Sequence, residues 1–334
     1  CRLMAVYTHL GAEEIAELIG HFDVGTLVSA KGIAEGVSNS NWLIETSGKD
    51  GADDRGGTRF ILTMYEFRID IAELPYFLAL LDHLAAKGCP VPRTVHDRSG
   101  QLYRTIGDKA VALIEYLPGV SVSQPTPDQA YAVGQALARL HLAAADFPMA
   151  RANGMDRAES RRLFAECGAE GLARIDPSLP GQVAASLAAV DTHWPEGLPR
   201  SVIHADLFPD NVLMLGSEVT GLIDFYFACN DTTAYDMAVT HAAWCFAGDG
   251  GGFDPAISHA LMQGYEAIRP FSAEERAALP TLASAACLRF IASRAYDWQN
   301  TPAGALVMPK DPMAFARRLA FYGDPANSAV FAAP

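Results

Sequence analysis

Three short apolar runs between residues 201 and 224, separated by polar turns, constrain the fold more than any other feature of this sequence. Short apolar runs bounded by Gly, Pro, Asn and Asp predict β-strands. The polar side chains near the ends of these runs are two carboxylates and one carboxamide, from Asp206, Asn211 and Asp224. We expect three strands to deliver these groups to a single end of a small sheet. Oxygen ligands gathered in this way suit a hard cation such as magnesium.

The spacing of these residues is that of a phosphoryl-transfer loop. Protein kinases carry a catalytic loop of the form H-R-D-x-x-x-x-N, followed by a strand that ends in a metal-binding Asp. His204, Asp206 and Asn211 reproduce the spacing of the loop. Asp224 ends the third apolar run, where the second metal ligand is expected. We predict that Asp206 is the catalytic residue that orients an acceptor hydroxyl, and that Asn211 and Asp224 bind the metal.

The alternative for the same segment is a solvated loop, because Asp and Asn are common in turns. One Asp would not decide between the two interpretations. The complete spaced set, with a strand on each side, favours the catalytic loop. His204 is expected to brace the loop by hydrogen bonds and not to transfer protons.

Composition and charge limit the class of protein. The chain has 334 residues, of which half are hydrophobic and 19% are charged, as in a globular protein of one large or two ordinary domains. The net charge of -14 argues against nucleic acid or an anionic membrane as a partner. No apolar run approaches the length of a membrane span, and the first residues lack the apolar core of a signal peptide. The six cysteines are scattered, which indicates reduced thiols and a cytoplasmic location.

The pattern of apolar residues divides the chain into two regions. We predict a short helix at 12–21, a stronger helix at 70–87 and six strands, at 26–30, 41–45, 59–65, 93–96, 102–105 and 110–116. After a Pro-Gly pair and a Ser/Pro-rich run, helical periodicity predominates, with helices at 128–145, 157–174, 181–193, 232–246, 255–268, 273–299 and 311–322. The predicted domains are a nucleotide-binding sheet lobe, 1–117, and a helical catalytic and acceptor-binding lobe, 118–334.

The first region offers residues for ATP. A loop that begins at Lys31 and contains Gly32 and Gly36 occupies the place of a kinase phosphate-covering loop, although it is not G-x-G-x-x-G. The main chain of Glu115, Tyr116 and Leu117 can present a donor and an acceptor to an adenine ring. These six residues are the predicted ATP-binding set.

One departure from the kinase pattern concerns the triphosphate. Kinases pair a lysine on the third strand with a helix-borne glutamate, but here that strand offers Thr63. Lys31 or Arg68 is the candidate replacement. Glu73 is either the helix-borne glutamate or an ordinary acid in the first turn of a helix.

The motifs together resemble the aminoglycoside phosphotransferase-like kinases. In that family the loop reads H-x-D-x-x-x-x-N, the second Asp lies in I-D-F or I-D-W as at 223–225, and a later Y-D matches 235–236. Within it, several stretches are similar to the bacterial homoserine kinases, namely 31–37, 39–41, 204–208, 223–231 and 301–306. The resemblance implies an α+β, two-lobed protein-kinase-like fold, with a small antiparallel-sheet N-lobe and a larger, mostly helical C-lobe. It also implies ATP and Mg²⁺ as cofactors, and phosphorylation of the hydroxyl of L-homoserine in threonine biosynthesis.

Homoserine also presents an amino group and a carboxylate, and an arginine fork matches a carboxylate. The candidate acceptor contacts are Tyr226, Asp231, Arg289 and Arg294, each with the alternative of an ordinary ion pair. Asp236 is expected to brace the catalytic loop. Two other interpretations stay open: a kinase of this fold that acts on choline, an aminoglycoside or a sugar, and a nucleotide-binding pseudokinase, which the missing strand lysine suggests.

Overall fold

The computed structural model describes residues 10–33, 39–48, 58–65, 70–302 and 308–332. It divides the chain into two compact units, Cys1–Pro118 and Gly119–Pro334. Of the residues used above, Gly36, Arg68 and the stretch 303–306 lie outside the described residues. Within the described residues, no helix is both long and apolar enough to span a membrane.

The first unit is built on one antiparallel sheet. Its strands are β1 (Leu27–Ile33), β2 (Asn39–Thr46), β3 (Arg59–Tyr65), β4 (Thr94–Val95), β5 (Arg104–Ile106) and β6 (Lys109–Glu115). They lie in the order β1-β2-β3-β6-β4, and β5 also pairs with β6. All six strands were predicted, and the helices of this unit are α1 (Ala12–Ile19) and α2 (Leu74–Ala86).

The core of the first unit lies between α1 and one face of this sheet. The alternation along β3 buries Phe60, Leu62 and Met64 on that face, as expected for a strand with one covered side. Ile15 and Ile19 on α1 pack against them. On β3, Thr63 occupies an intervening position, and its hydroxyl donates to Oδ1 of Asn41 at 2.8 Å.

The second unit is mostly helical. Its helices are α3 (Pro127–Ala143), α4 (Arg157–Ile175), α5 (Leu179–Thr192), α6 (Thr233–Trp244), α7 (Pro255–Glu266), α8 (Ala273–Asn300) and α9 (Met313–Gly323). Helix α8 is central, because α4, α5, α6 and α9 all pack against it. The sequence predicted each of these helices to within a few residues of its ends.

The strands of the second unit correct one prediction. β7 (Arg200–Ile203) does not join β8 (Val212–Leu215) and β9 (Glu218–Leu222) in a single sheet. β8 and β9 form their own hairpin, and β7 pairs with β10 (Cys229–Thr232), which was not predicted. The sequence of β10 is Cys-Asn-Asp-Thr, so neither its propensity nor its periodicity indicates a strand, and tertiary pairing decides its conformation.

Helices α3 and α7 approach closely at a reciprocal pair of glycines. A Cβ atom at Gly264 would lie 2.0 Å from the carbonyl oxygen of Tyr131. A Cβ atom at Gly134 would lie 2.2 Å from the carbonyl oxygen of Leu261. Both positions therefore require the absence of a side chain.

We expect Gly264→Ala to lower the stability of the second unit by about 1–3 kcal/mol or more, because the new methyl group must push apart two backbones. Thermal unfolding measures the effect. Gly181→Ala in α5 is the matched control, since no atom lies within 4 Å of a Cβ built there. Equal unfolding temperatures for both variants would contradict the close packing of α3 and α7.

Candidate active site

The β8–β9 hairpin brings Asn211 and Asp224 to the same end of one ladder. Val212 pairs with Leu222, so the residues just outside this pair, Asn211 and Ile223, face each other. The amide of Ile223 donates to the carbonyl of Asn211 at 3.0 Å, which extends the pairing by one residue. Asp224 follows directly. The hairpin register alone therefore places both predicted metal ligands at one end.

A short loop after β7 carries Asp206 to the same place. The side-chain nitrogen of Asn211 donates to the main-chain carbonyl of Asp206 at 2.8 Å and lies 3.5 Å from its Oδ2. With its nitrogen used in this way, Asn211 keeps its carbonyl oxygen as the atom that can ligate a cation.

His204 joins this loop to the end of β9. Its Nε2 lies 2.9 Å from the carbonyl oxygen of Ile223, and its Nδ1 accepts from the amide of Asp206 at 3.2 Å. A carbonyl only accepts, so Nε2 carries a proton and donates it to Ile223. The ring is fully buried and packs against Phe225, with 4.5 Å between ring centroids. His204 is therefore placed to brace the loop.

Asp236, near the start of α6, holds the backbone of the loop by hydrogen bonds. Its two carboxylate oxygens accept the amides of His204 at 2.7 Å and Ala205 at 2.8 Å. His141 contacts the same carboxylate at 3.0 Å and Tyr265 at 2.8 Å, so the network continues into α3 and α7. Burial by itself raises the pKa of Asp236, but its hydrogen bonds with His141 and the loop lower that pKa below its ordinary value.

Arg289 on α8, one of the predicted acceptor contacts, lies against the catalytic loop. It is 3% exposed, its guanidinium donates to the carbonyl of Ala205, and Nη2 lies 3.9 Å from Oδ1 of Asp206. Its loop-bracing position was missed. The available signal was an arginine within the apolar face of a helix, because a buried cation needs a partner.

Two residues of the site have left-handed backbones. Ala205 has a φ of 62° and Asp224 has a φ of 65°. Among the described residues, no other non-glycine residue has a positive φ. Such a conformation costs an L-residue about 1–2 kcal/mol. It is kept here because hydrogen bonds fix the loop on both sides, and it turns two carboxylates toward one region. Neither residue is a glycine, so this left-handed conformation was not predictable from the sequence.

The crowding of carboxylates changes their pKa values. Burial raises the pKa of Asp206, against the opposing effect of Arg289. Burial and then the charge of Asp206 raise the pKa of Asp224 to about 6. Asp224 is exposed to solvent on one side, which leaves it open to a cation. Two carboxylates that resist ionisation together are stabilised by a cation between them.

The donor set fits a magnesium ion that is shared with a ligand. Within the described residues, no three His, Cys, Asp or Glu side chains form a metal-binding group. Mg²⁺ is commonly held by one or two carboxylates, with water and substrate phosphates as the other ligands. Asn211 and Asp224 offer oxygens of the right kind for such a site. A complete protein cage, as for a structural zinc ion, is not present in the described part of the chain.

Comparison with protein families agrees with this geometry. Residues 29–271 match the phosphotransferase enzyme family. The chain belongs to this family. Similar proteins include the homoserine kinases of Xanthobacter autotrophicus, 48% identical over 96% of both chains, and of Phenylobacterium zucineum, 46% identical over 99% of both. The homoserine kinase of Gluconobacter oxydans is 47% identical over 95% of this chain and 97% of its own.

Solved structures of other kinases have the same fold. An amicoumacin kinase in complex with AMP-PNP and Ca²⁺ has a TM-score of 0.66 at 13% identity and covers 96% of this chain and 93% of its own. A microcompartment-associated aminopropanol kinase has a TM-score of 0.61 at 19% identity and covers 96% and 99%. The α+β kinase-like fold and the resemblance stated from the sequence are confirmed. The chain is a phosphotransferase with an alcohol group as acceptor.

The other predicted acceptor residues lie in different places within this phosphotransferase. Asp231, on β10, contacts Asn153 at 2.8 Å and Arg200 at 3.3 Å, opposite the start of β7 and away from the loop. These contacts favour the ordinary ion pair. Tyr226 lies in a short 3₁₀ helix directly after Asp224. Arg294 lines a pocket beside the catalytic loop.

Two residues of the predicted phosphate loop lie on a strand. Lys31 and Gly32 lie on β1, opposite Leu43 and Trp42, and not in a loop. The strands extend further than predicted because the antiparallel pairing of β1 and β2 continues to Ile33. Both residues are exposed.

The remaining first-unit candidates lie near strand and helix ends. Glu115 ends β6, and its amide donates to the carbonyl of Arg93 at 2.9 Å. Tyr116 and Leu117 follow the end of the strand. The predicted helix at 70–87 begins as a 3₁₀ turn, so Glu73 precedes α2 and does not lie inside it.

We predict that Asp236→Asn lowers kcat by about 100-fold. An amide nitrogen cannot accept a hydrogen bond, so one backbone amide of the loop loses its partner, and a small displacement of catalytic groups is costly. Steady-state kinetics on the folded variant measures it. Asp191→Asn, which removes a surface partner of Arg157 and Arg161, is the control and should keep full activity. An unchanged kcat in Asp236→Asn would refute the bracing role.

The raised pKa of Asp224 predicts pH-dependent metal binding. A protonated carboxyl is a poor ligand, so affinity falls as the pH drops through the raised value. Because the pKa of Asp224 is about 6, we expect Mn²⁺ to bind nucleotide-free protein about tenfold more weakly at pH 5 than at pH 7. A carboxylate with an ordinary pKa would give almost no change in affinity between these pH values. Water-proton relaxation measures Mn²⁺ binding. Affinity that is flat between these pH values would contradict the crowding of the two carboxylates.

Proposed function

We propose that this chain transfers the γ-phosphate of ATP to the hydroxyl of L-homoserine, giving O-phospho-L-homoserine and ADP. The observation that carries the proposal is the identity of 46–48% to homoserine kinases along nearly the whole of both chains. Identity of this extent covers both units, and with them the acceptor-binding parts as well as the phosphate chemistry. The threonine pathway is the corresponding biosynthetic context.

The residues of the loop and hairpin have distinct roles in this reaction. Mg²⁺, when bound, neutralises the phosphate oxygens of ATP. Asn211 and Asp224 hold it through side-chain oxygens. Asp206 accepts the hydrogen bond of the acceptor hydroxyl and aligns its oxygen with the phosphorus. His204, Asp236 and Arg289 keep this loop in place.

ATP recognition is proposed for the first unit. Thr63, which stands where kinases have the strand-three lysine, is uncharged and is bonded to Asn41. We therefore assign the role of that lysine to Lys31, which is exposed on β1. The neighbouring Gly32 and Gly36 allow close approach of the phosphates. The adenine ring is assigned to the main chain after β6, at Tyr116 and Leu117 and the carbonyl of Glu115, whose amide is already used.

A cytoplasmic location also fits this function. The five cysteines within the described residues are all free and buried. Free thiols persist in a reducing compartment, where ATP and amino-acid intermediates are also found.

A panel of acceptors with ATP and Mg²⁺ tests the proposal. We expect phosphorylation of L-homoserine, and little or none of choline, 3-amino-1-propanol or an aminoglycoside. Asp206→Asn is expected to lower kcat by about 10²–10⁴-fold while ATP still binds, because only the acceptor-orienting group is changed. Asp210→Asn, an exposed neighbour in the same loop, is its control.

Two outcomes would overturn the assignment. Phosphorylation of an aminoglycoside or choline with none of homoserine would give the chain a different substrate. Binding of ATP without turnover of any acceptor would favour the pseudokinase interpretation.

A further inference from the structure

A pocket of about 370 Å³ lies in the second unit beside the catalytic loop. Two residues of that loop, Phe208 and Pro209, form part of its wall, and they follow Asp206 within three positions. Its other walls come from α6, α8 and α9 and from the segments that precede α3, follow α6 and precede α9. The pocket is therefore large enough for a small metabolite and adjacent to the residue that is expected to hold the acceptor hydroxyl.

Three cations line this pocket: Arg294, Lys310 and Arg318. Arg318 is 4% exposed, and its Nη2 donates to the carbonyl of Ala247 at 3.2 Å. Within the described residues, its Nε and Nη1 have no hydrogen-bond partner, and its guanidinium packs over the rings of Phe315 and Phe246 without an ion pair. An arginine cannot lose its charge, so a buried guanidinium without an anion is costly. Nε and Nη1 are buried, so a ligand in the pocket cannot bond to these two atoms. It can still be attracted by the positive charge of the guanidinium.

Arg294 adds a second positive charge to the pocket. It is half-buried on α8, and its Nη1 donates to the main-chain carbonyl of Asp311 at 3.0 Å. Burial and then the nearby charge of Arg318 lower the pKa of Arg294 to about 10. The carboxylates of Asp311, Asp206 and Asp210 act on that pKa in the opposite direction, and the effect of Asp206 and Asp210 shows that Arg294 lies near the catalytic loop. Two guanidinium groups that repel each other at one pocket are an arrangement that a bound anion stabilises.

Acidic groups at the edge of the pocket complete the pattern. Asp249 and Asp311 line it and are exposed. Each uses Oδ1 to accept a nearby backbone amide, from Gly251 and Met313, at 2.9 and 2.8 Å. The pocket thus has buried positive charge and peripheral negative charge. This distribution suits a zwitterion, whereas a purely cationic acceptor would be repelled by the buried arginines.

We propose that this pocket is the acceptor subsite, in which Arg294 and Arg318 recognise the α-carboxylate of the amino acid and Asp249 or Asp311 its ammonium group. The proposal rests on the proposed function and assigns the residues that give it specificity. Arg294 supplies the direct hydrogen bonds, since it is the more accessible of the two arginines. Arg289, by contrast, is bound to the catalytic loop and is not part of this subsite.

The test compares two acceptors that differ only in the carboxylate, L-homoserine and 3-amino-1-propanol. In Arg294→Gln, kcat/KM for L-homoserine is expected to fall by about 10- to 100-fold, mainly through KM, because a charged hydrogen bond is lost. The value for 3-amino-1-propanol should stay within about threefold, because this acceptor never makes that contact. Arg318→Lys, which keeps the charge, should fall less than Arg294→Gln.

Arg269→Gln is the matched control. Arg269 is also an arginine with one buried unpaired nitrogen, but it pairs with Glu275 and does not line the pocket. It should leave the ratio of the two kcat/KM values unchanged. Equal losses for both acceptors in Arg294→Gln would show a merely structural role and overturn the proposal. So would a wild-type enzyme that uses both acceptors equally well.

A binding measurement covers the case in which 3-amino-1-propanol turns over too slowly. L-2-Aminobutyrate keeps the carboxylate and lacks the hydroxyl, and propylamine lacks both. Calorimetry on the wild-type protein should show binding of the first and not of the second, and Arg294→Gln should bind L-2-aminobutyrate at least about tenfold more weakly. Unchanged binding of L-2-aminobutyrate in Arg294→Gln would refute the proposed subsite. A wild-type enzyme that does not phosphorylate L-homoserine at all would instead refute the proposed function.

Discussion

The carboxylate of Asp236 is the constraint on which the site depends. It is completely buried, and it accepts two consecutive backbone amides from the loop that follows β7. Those two bonds make it possible for Ala205 to keep a left-handed conformation that an alanine rarely adopts. The turn at Ala205 then aims Asp206 toward Asn211 and Asp224. A buried ionised group would itself be unfavourable, and the hydrogen bonds of His141 and the loop offset that cost.

The residues that hold the loop rigid are therefore different from the residue that is open to a cation. The groups that hold the loop, His204, Asp236 and Arg289, are buried and have neighbours on several sides. Asp224, at the reacting end, is exposed and has a raised pKa. A phosphotransferase needs this division, because catalysis comes from positioning and charge and the cation must enter with its nucleotide.

Much of this was predictable from the sequence, because local patterns determine it. The helices and most strands follow from apolar periodicity, and the loop spacing selected three residues that the structure brings together beside the β8–β9 hairpin. Long-range contacts were not predictable. β10 carries a polar sequence that becomes a strand only by pairing with β7, and the role of Arg289 depends on which loop lies opposite α8. The burial of Arg318 was predictable in principle, because it shares a helix face with Phe315 and Tyr322, which are both buried. The lack of a partner for its charge was not predictable from the sequence.

The most direct measurement is the position of a cation and an acceptor in crystals grown with Mn²⁺, a non-hydrolysable ATP analogue and L-homoserine. The anomalous signal should place Mn²⁺ about 2.1 Å from oxygens of Asn211 and Asp224, with the homoserine hydroxyl against Asp206. A cation bound elsewhere, or an acceptor hydroxyl that Asp206 does not reach, would contradict the account.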